Sequence, residues 1–170
     1  MKTKSTYVFS YFLIALTLTA CNLNNASTPE VTDLPPADPS EGLVQAEDGV
    51  VTAELVANPA GIAPDGRVKV RVVNRGTRAL SYGRPITVEK WNGEAWVETE
   101  ESRNAMWTME LLHVEPEKIG VEQAWPFLPD QRPESGWYRM TKHVSAESPD
   151  PDQDPVMLTI RTRVEVREQD

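Results

Sequence analysis

Val156-Met157-Leu158-Thr159-Ile160-Arg161-Thr162-Arg163-Val164-Glu165-Val166 decides the fold. Val156, Leu158, Ile160, Thr162, Val164 and Val166 fall on every second position, and most of the residues between them are polar or charged. A strand sends successive side chains to opposite faces, so this alternation specifies a long strand with one buried face. The same period runs back through the chain. Tyr138, Met140 and Val144 alternate after Gly136. Trp107, Met109 and Leu111 alternate, and Ile119, Val121, Gln123 and Trp125 do so again. Met106–Val114 has a short helix as its alternative reading, without a clear capping pattern. Ile86 and Val88 lead into Trp91-Asn92-Gly93-Glu94-Ala95-Trp96, where Asn-Gly marks a tight hairpin. Val68, Val70 and Val72 alternate, as do Val51, Ala53, Leu55 and Ala57. Gly and Pro turns separate these runs. The expectation is an all-β fold, an antiparallel sandwich of seven or eight strands without a repeat.

The chain has 170 residues, with 39% hydrophobic and 25% charged content, which suits one globular domain plus extensions. Its formal charge is −9, with 17 basic and 26 acidic residues. Loss of residues 1–20 would remove Lys2 and Lys4, leaving 15 basic residues and a charge of −11. Such a surface repels phosphate backbones, so nucleic acid is excluded as the expected partner. The single cysteine, Cys21, leaves no intrachain disulfide and no cysteine-based metal site.

Lys2 and Lys4 precede an apolar run from Val8 to Leu18, too short to span a bilayer. It ends in Leu18-Thr19-Ala20-Cys21, which resembles the bacterial lipobox. The resemblance implies a cleaved signal peptide at residues 1–20 and diacylglycerol on Cys21, with two or three acyl chains such as palmitate. Two chains anchor a protein stably where one does not. The partner so implied is a cell membrane or outer membrane, with the protein on its extracytoplasmic side. Residues 21–48, rich in Asn, Ser, Thr, Pro and acids, are expected to be a disordered stalk after the lipidated cysteine. Residues 49–168 are expected to be the folded domain.

Within that domain, Tyr82-Gly83, Glu89, Gly93 with Trp96, Gly136-Trp137-Tyr138-Arg139 and Lys142 form a series. It resembles the pattern of a bacterial immunoglobulin-like domain found in surface and lipid-anchored proteins. The chain departs from it at Arg132-Pro133-Glu134-Ser135, where a Leu-containing turn is expected. The resemblance implies an immunoglobulin-like sandwich and no known enzymatic activity. Gly93 and Gly136 are then structural, as is Tyr138, whose hydroxyl is expected to bond back to the preceding corner.

No catalytic constellation accompanies His113 or His143, and both are expected as ordinary residues near strand ends. Asp150, Asp152 and Asp154 begin like a calcium loop, but Pro155 and Arg161 stand where Gly and Glu are required. Glu98, Glu100 and Glu101 read as chance neighbours in an acidic chain. No catalytic residue, metal or cofactor is therefore expected. Trp107 and Trp125 read as core anchors.

Parity gives the remaining tryptophans a different role. Two- and four-residue turns at Asn92-Gly93 both put Glu89, Trp91 and Trp96 on one face, with Ile86, Val88 and Val97 on the other. Tyr138 and Met140 in the core turn Trp137 and Arg139 outward. The candidate binding face is thus Trp91, Trp96 and Trp137 around a Glu89–Arg139 pair, unless Glu100–Ala105 or Phe127–Ser135 covers it. The expected function is a non-enzymatic envelope module that binds an envelope protein or glycan or plays a structural part. A proteinase inhibitor presenting Trp125-Pro126-Phe127-Leu128-Pro129 is the alternative.

Overall fold

The computed structural model describes residues 34–46, 49–57, 66–126, 132–148, 150 and 152–167. Cys21 and residues 127–129 of the inhibitory-loop alternative lie outside them. Ten strands and one short helix are described: β1 (Leu43–Gln45), β2 (Thr52–Ala57), β3 (Val68–Asn74), β4 (Leu80–Gly83), β5 (Thr87–Trp91), β6 (Trp96–Glu98), α1 (Glu100–Asn104), β7 (Leu111–Val114), β8 (Gln123–Trp125), β9 (Gly136–Ala146) and β10 (Val156–Val166). The excess over the expected seven or eight comes from β1 and β4, of three and four residues, neither of them expected from the sequence.

The strands form two antiparallel sheets. One has the order β1-β2-β3-β8. The other is organised by β9, which pairs with β10 along its whole length, from Gly136↔Val166 to Ala146↔Val156. That occupies one edge of β9. The other edge carries β5, from Thr87↔Thr141 to Lys90↔Tyr138, and then β4 at Ser81↔Ser145. The β6 strand extends the sheet beyond β5, and β7 extends it beyond β4.

The core is the meeting of the inward positions. Leu158, Ile160, Val164 and Val166 of β10 join Tyr138, Met140 and Val144 of β9. Val51, Ala53, Leu55, Val68, Val70 and Val72 face them from the second sheet side. Trp125 is 1% exposed, its ring 4.7 Å from that of Tyr138. The rings are tilted by 47°, and an aromatic pair at that separation stabilises beyond its buried area. Packing thus does here what a disulfide does in some sandwiches. Trp107 is half-buried and packs against the same core.

Several expectations shift. Strand pairing begins at Leu43, before the expected boundary at residue 49, so residues 34–46 are ordered rather than stalk. The strand expected over Trp107–Leu111 starts only at Leu111, and Met106 and Met109 are exposed. The helix lies earlier, at Glu100–Asn104, with Thr99 as its N-cap accepting from Ser102 N. Val97 is 46% exposed rather than in the core, because β6 is a short strand at the sheet margin. Here α1 takes over: Ser102 Oγ accepts from Val88 N at 3.0 Å and donates to Glu98 Oε1 at 2.9 Å. This closes the edge of β5 where β6 stops, a protected edge rather than an open one.

Candidate binding face

The alternation of β5 and β9 delivers the predicted pair. Glu89 lies opposite Arg139 in the sheet. Arg139 Nε donates to Glu89 Oε2 at 2.7 Å, and Nη2 donates to Oε1 at 2.9 Å. Arginine's planar fork matches a carboxylate in this bidentate form, which fixes orientation as well as charge. Hydrogen bonding from Glu89, more than its charge alone, holds the Arg139 pKa above its ordinary range.

The hairpin closes with Trp91 directly opposite Trp96, which selects the four-residue turn of the two alternatives. Asn92 Oδ1 accepts from Glu94 N and Ala95 N at 3.0 and 2.9 Å, and Gly93 has φ of 100°. A side chain is rarely tolerated at that φ, so glycine is required there. The indoles of Trp91 and Trp96 are 5.4 Å apart, and the Arg139 guanidinium sits 4.8 Å over the Trp96 ring.

All five expected residues therefore share one face. The open tryptophan surface is corrected. Trp91 is only 9% exposed, and Trp96 and Trp137 are half-buried. A segment not considered from sequence, residues 35–42 of the expected stalk, lies across this face as a strap; of the Phe127–Ser135 loop, residues 127–131 lie outside the described residues. Asp38 Oδ2 accepts from Arg139 Nη1 at 3.1 Å and from Arg161 Nη1 at 3.4 Å. Arg161 Nη1 also donates to Ser40 Oγ. Glu41 pairs with Arg163 Nε, whose Nη1 donates to the Pro35 carbonyl at 3.0 Å. The backbone joins in: Arg161 N donates to Ser40 O at 3.2 Å, and Gly42 N donates to Arg161 O at 3.3 Å. This is a single parallel bridge, Glu41↔Arg161, along the margin of β10.

The two carboxylates of this strap of residues 35–42, Asp38 and Glu41, respond oppositely. The Ser40 hydroxyl bond, opposed by burial, keeps the Asp38 pKa below its ordinary value. Burial raises that of Glu41 against the pull of Arg163. Sequence reasoning missed Asp38, Ser40, Glu41, Arg161 and Arg163. A signal existed in β10: Arg161 and Arg163 occupy outward positions two residues apart, and Arg163 lies opposite Arg139.

The inward face holds a second constellation. Lys142 follows Tyr138 and Met140 at core parity and is 1% exposed. Its Nζ donates to Gln123 Oε1 at 2.5 Å and to the carbonyls of Pro85 and Arg84 at 3.1 and 3.2 Å. It also lies 5.0 Å over the Tyr82 ring. Burial, helped by the Arg84 cation, pulls its pKa down to about 7. The Tyr138 hydroxyl donates to Glu134 O at 3.0 Å, forming the expected corner. Burial first, then the Glu134 and Glu101 charges, push its pKa up to about 12. Glu134 is placed by Lys90, which donates to its carboxylate at 2.5 Å. The turn that departs from the family pattern therefore still receives the tyrosine. Gly136, at φ of 139°, opens the strand that follows.

The remaining candidates have local roles. His113 Nδ1 lies 3.0 Å from Ser81 Oγ, and His143 Nδ1 lies 3.0 Å from Thr159 Oγ1. Both histidines are exposed members of cross-strand pairs, and His143 sits inside β9 rather than at a strand end. Asp150 Oδ1 accepts from Asp152 N at 3.1 Å, which folds its loop on itself. Trp125 and Pro126, which begin the proposed inhibitory segment, are buried. Among the described residues, no group of three or more His, Cys, Asp or Glu is arranged to hold a metal ion.

The sequence matches the family described as bacterial Ig-like domain over residues 55–160. A comparison with curated proteins finds no match. The matched stretch begins in β2 and ends inside β10, so it covers the hairpin, the Glu89–Arg139 pair and Lys142, and leaves the strap outside.

Proposed function

Since the chain belongs to the bacterial Ig-like domain family, we propose that it is a lipid-anchored cell-envelope protein whose sandwich is a non-enzymatic binding module. The observation that carries the module reading is how the polar groups of the outer face are used. Both oxygens of Glu89 and all three nitrogens of the Arg139 guanidinium are engaged, and Asp38 serves two arginines. Groups locked in this way organise a surface; they are not poised to transfer protons or attack a substrate. Support for the anchor comes from Leu18-Thr19-Ala20-Cys21 behind the apolar run. On this reading the lipid on Cys21 holds the protein at a cell membrane or outer membrane, facing away from the cytoplasm. The module meets an envelope protein or glycan there.

The test of the anchor is Cys21→Ser. Fed a labelled fatty acid, cells should acylate the unaltered protein and leave the variant unlabelled and released from the membrane fraction. A variant that is still acylated sinks the reading.

A further inference from the structure

We propose that the outer face of β9 and β10 is a docking surface for an acidic, extended segment of a partner protein, and that residues 35–41 are its internal competitor. The inference deepens the binding-module reading and rests on it, but it does not depend on the lipid.

The charge pattern comes first. Arg139, Arg161 and Arg163 stand together on two adjacent strands of a chain whose formal charge is −9. Three cations at neighbouring outward positions repel one another unless anions lie between them. Glu89 supplies one carboxylate from within the sheet. Asp38 and Glu41 supply the others from a segment lying before the matched domain. The occupant thus displays the chemistry the face accepts: extended backbone on the β10 margin, with carboxylates projecting onto arginines. Recognition by strand addition works in this manner, with main-chain bonds giving affinity and side chains giving selectivity.

The fit of that occupant is incomplete. Trp91 Nε1, Thr141 Oγ1, Arg161 Nε and Glu41 Oε1 are all buried, and none has a hydrogen-bond partner among the described residues. All four belong to this face or to the segment on it. Buried polar atoms in folded proteins are nearly always paired, so four together mark a contact that a better ligand can improve. Three of the four residues, Trp91, Thr141 and Arg161, offer a donor, and a segment with more acceptors than the strap would satisfy them. The ionisation of the strap points the same way. Glu41 is docked at the expense of its charged form, since burial raises its pKa. A partner meets a face that is only partly open, so its apparent affinity is reduced by the open fraction. The strap sets that fraction.

The experiment uses the purified full chain and a second full chain with residues 34–41 replaced by a Gly-Ser stretch of the same length. The probes are three labelled synthetic peptides. The first has the sequence of residues 34–42, the second carries an added acid in place of Ser40, and the third has every acid changed to its amide. The replaced chain should bind the first peptide at least about tenfold more tightly than the unaltered chain does. The second peptide should bind more tightly still, and the third should not bind. Adding Arg163→Gln to the replaced chain should weaken binding of the first peptide. Equal affinities for acid and amide peptides would overturn the proposal, as would a replaced chain that ignores all three. A replaced chain that cannot fold would also overturn it, because the segment would then be an integral part of the domain. So would tight binding of a polygalacturonate probe without peptide binding, which would assign the face to an acidic glycan. Asp38→Asn with Glu41→Gln is the milder variant, and it should show the same gain for the first peptide in smaller degree.

Discussion

Raising the pH from neutrality should stabilise this protein, and Lys142 is the reason. Its pKa is about 7 in the folded chain against an ordinary 10.5. A folded-state pKa below the unfolded one means that the folded chain releases its proton first. The cost of burying the charge is felt fully below pH 7, is relieved as pH rises, and is gone above the unfolded value. A single group with these two values adds about 3 kcal/mol of stability between about pH 7 and pH 9.5. The oxygens of Gln123, Arg84 and Pro85 favour the charged form and the nearby Arg84 cation opposes it, so the gain depends on their balance. Tyr82 and Tyr138 work in the opposite direction: burial raises both above the ordinary 10, so the unfolded chain ionises first, and the stability they cost sets in near pH 10, at the upper end of this window. The assay is urea unfolding of the unaltered chain and of Lys142→Met across the window. The difference between the two slopes isolates Lys142 from every other titrating group. Parallel slopes, or stability that falls with pH only when Lys142 is present, would refute the reasoning.

Other substitutions test the packing and the face. Tyr138→Phe removes the bond to Glu134 O and should cost about 1 kcal/mol in chemical denaturation; an unchanged midpoint would argue against the corner. Glu89→Gln weakens the bidentate grip on Arg139 and should cost about 2 kcal/mol, with a change in Trp96 fluorescence as the guanidinium shifts. Gly120→Ala should destabilise by about 1–3 kcal/mol, because its Cβ would collide with the Tyr82 hydroxyl and lie 2.8 Å from Val114 Cγ2. A fully stable Gly120→Ala chain would show that the two sheets can part there without loss.

Legibility in the sequence followed the length of the pattern. The β9 and β10 strands have 11 residues each, long enough for period-two alternation to fix both existence and face. That parity put Arg139 beside Glu89 correctly. Lys142 has the same parity as Tyr138 and Met140, but its burial was not read from the sequence: a lysine at a core position is passed over when the oxygens that offset its cost, from Gln123, Arg84 and Pro85, are distant in sequence. Short strands were less readable. Leu80-Ser81-Tyr82-Gly83 is too brief to show a period, and Val97 was misplaced because β6 ends before the sheet can enclose it. The strap was invisible for another reason. Its composition of Pro, Asp and Ser is that of a linker, and what orders it are arginines more than 100 positions away in sequence. Local propensity carries no trace of such contacts.

The strap also acts on distance. From Cys21 to Leu34 the chain has 13 residue steps, which span at most about 45 Å when fully extended. Freed as far as Leu43, it gains nine steps, and the limit rises to about 75 Å. On the proposed anchor, the ion pairs of Asp38 and Glu41 therefore govern how far the domain can stand from the bilayer. A partner that takes the arginine face would release the segment beside it and lengthen the leash in the same event. Capture of a ligand and freedom to move with it would then be two readings of one displacement.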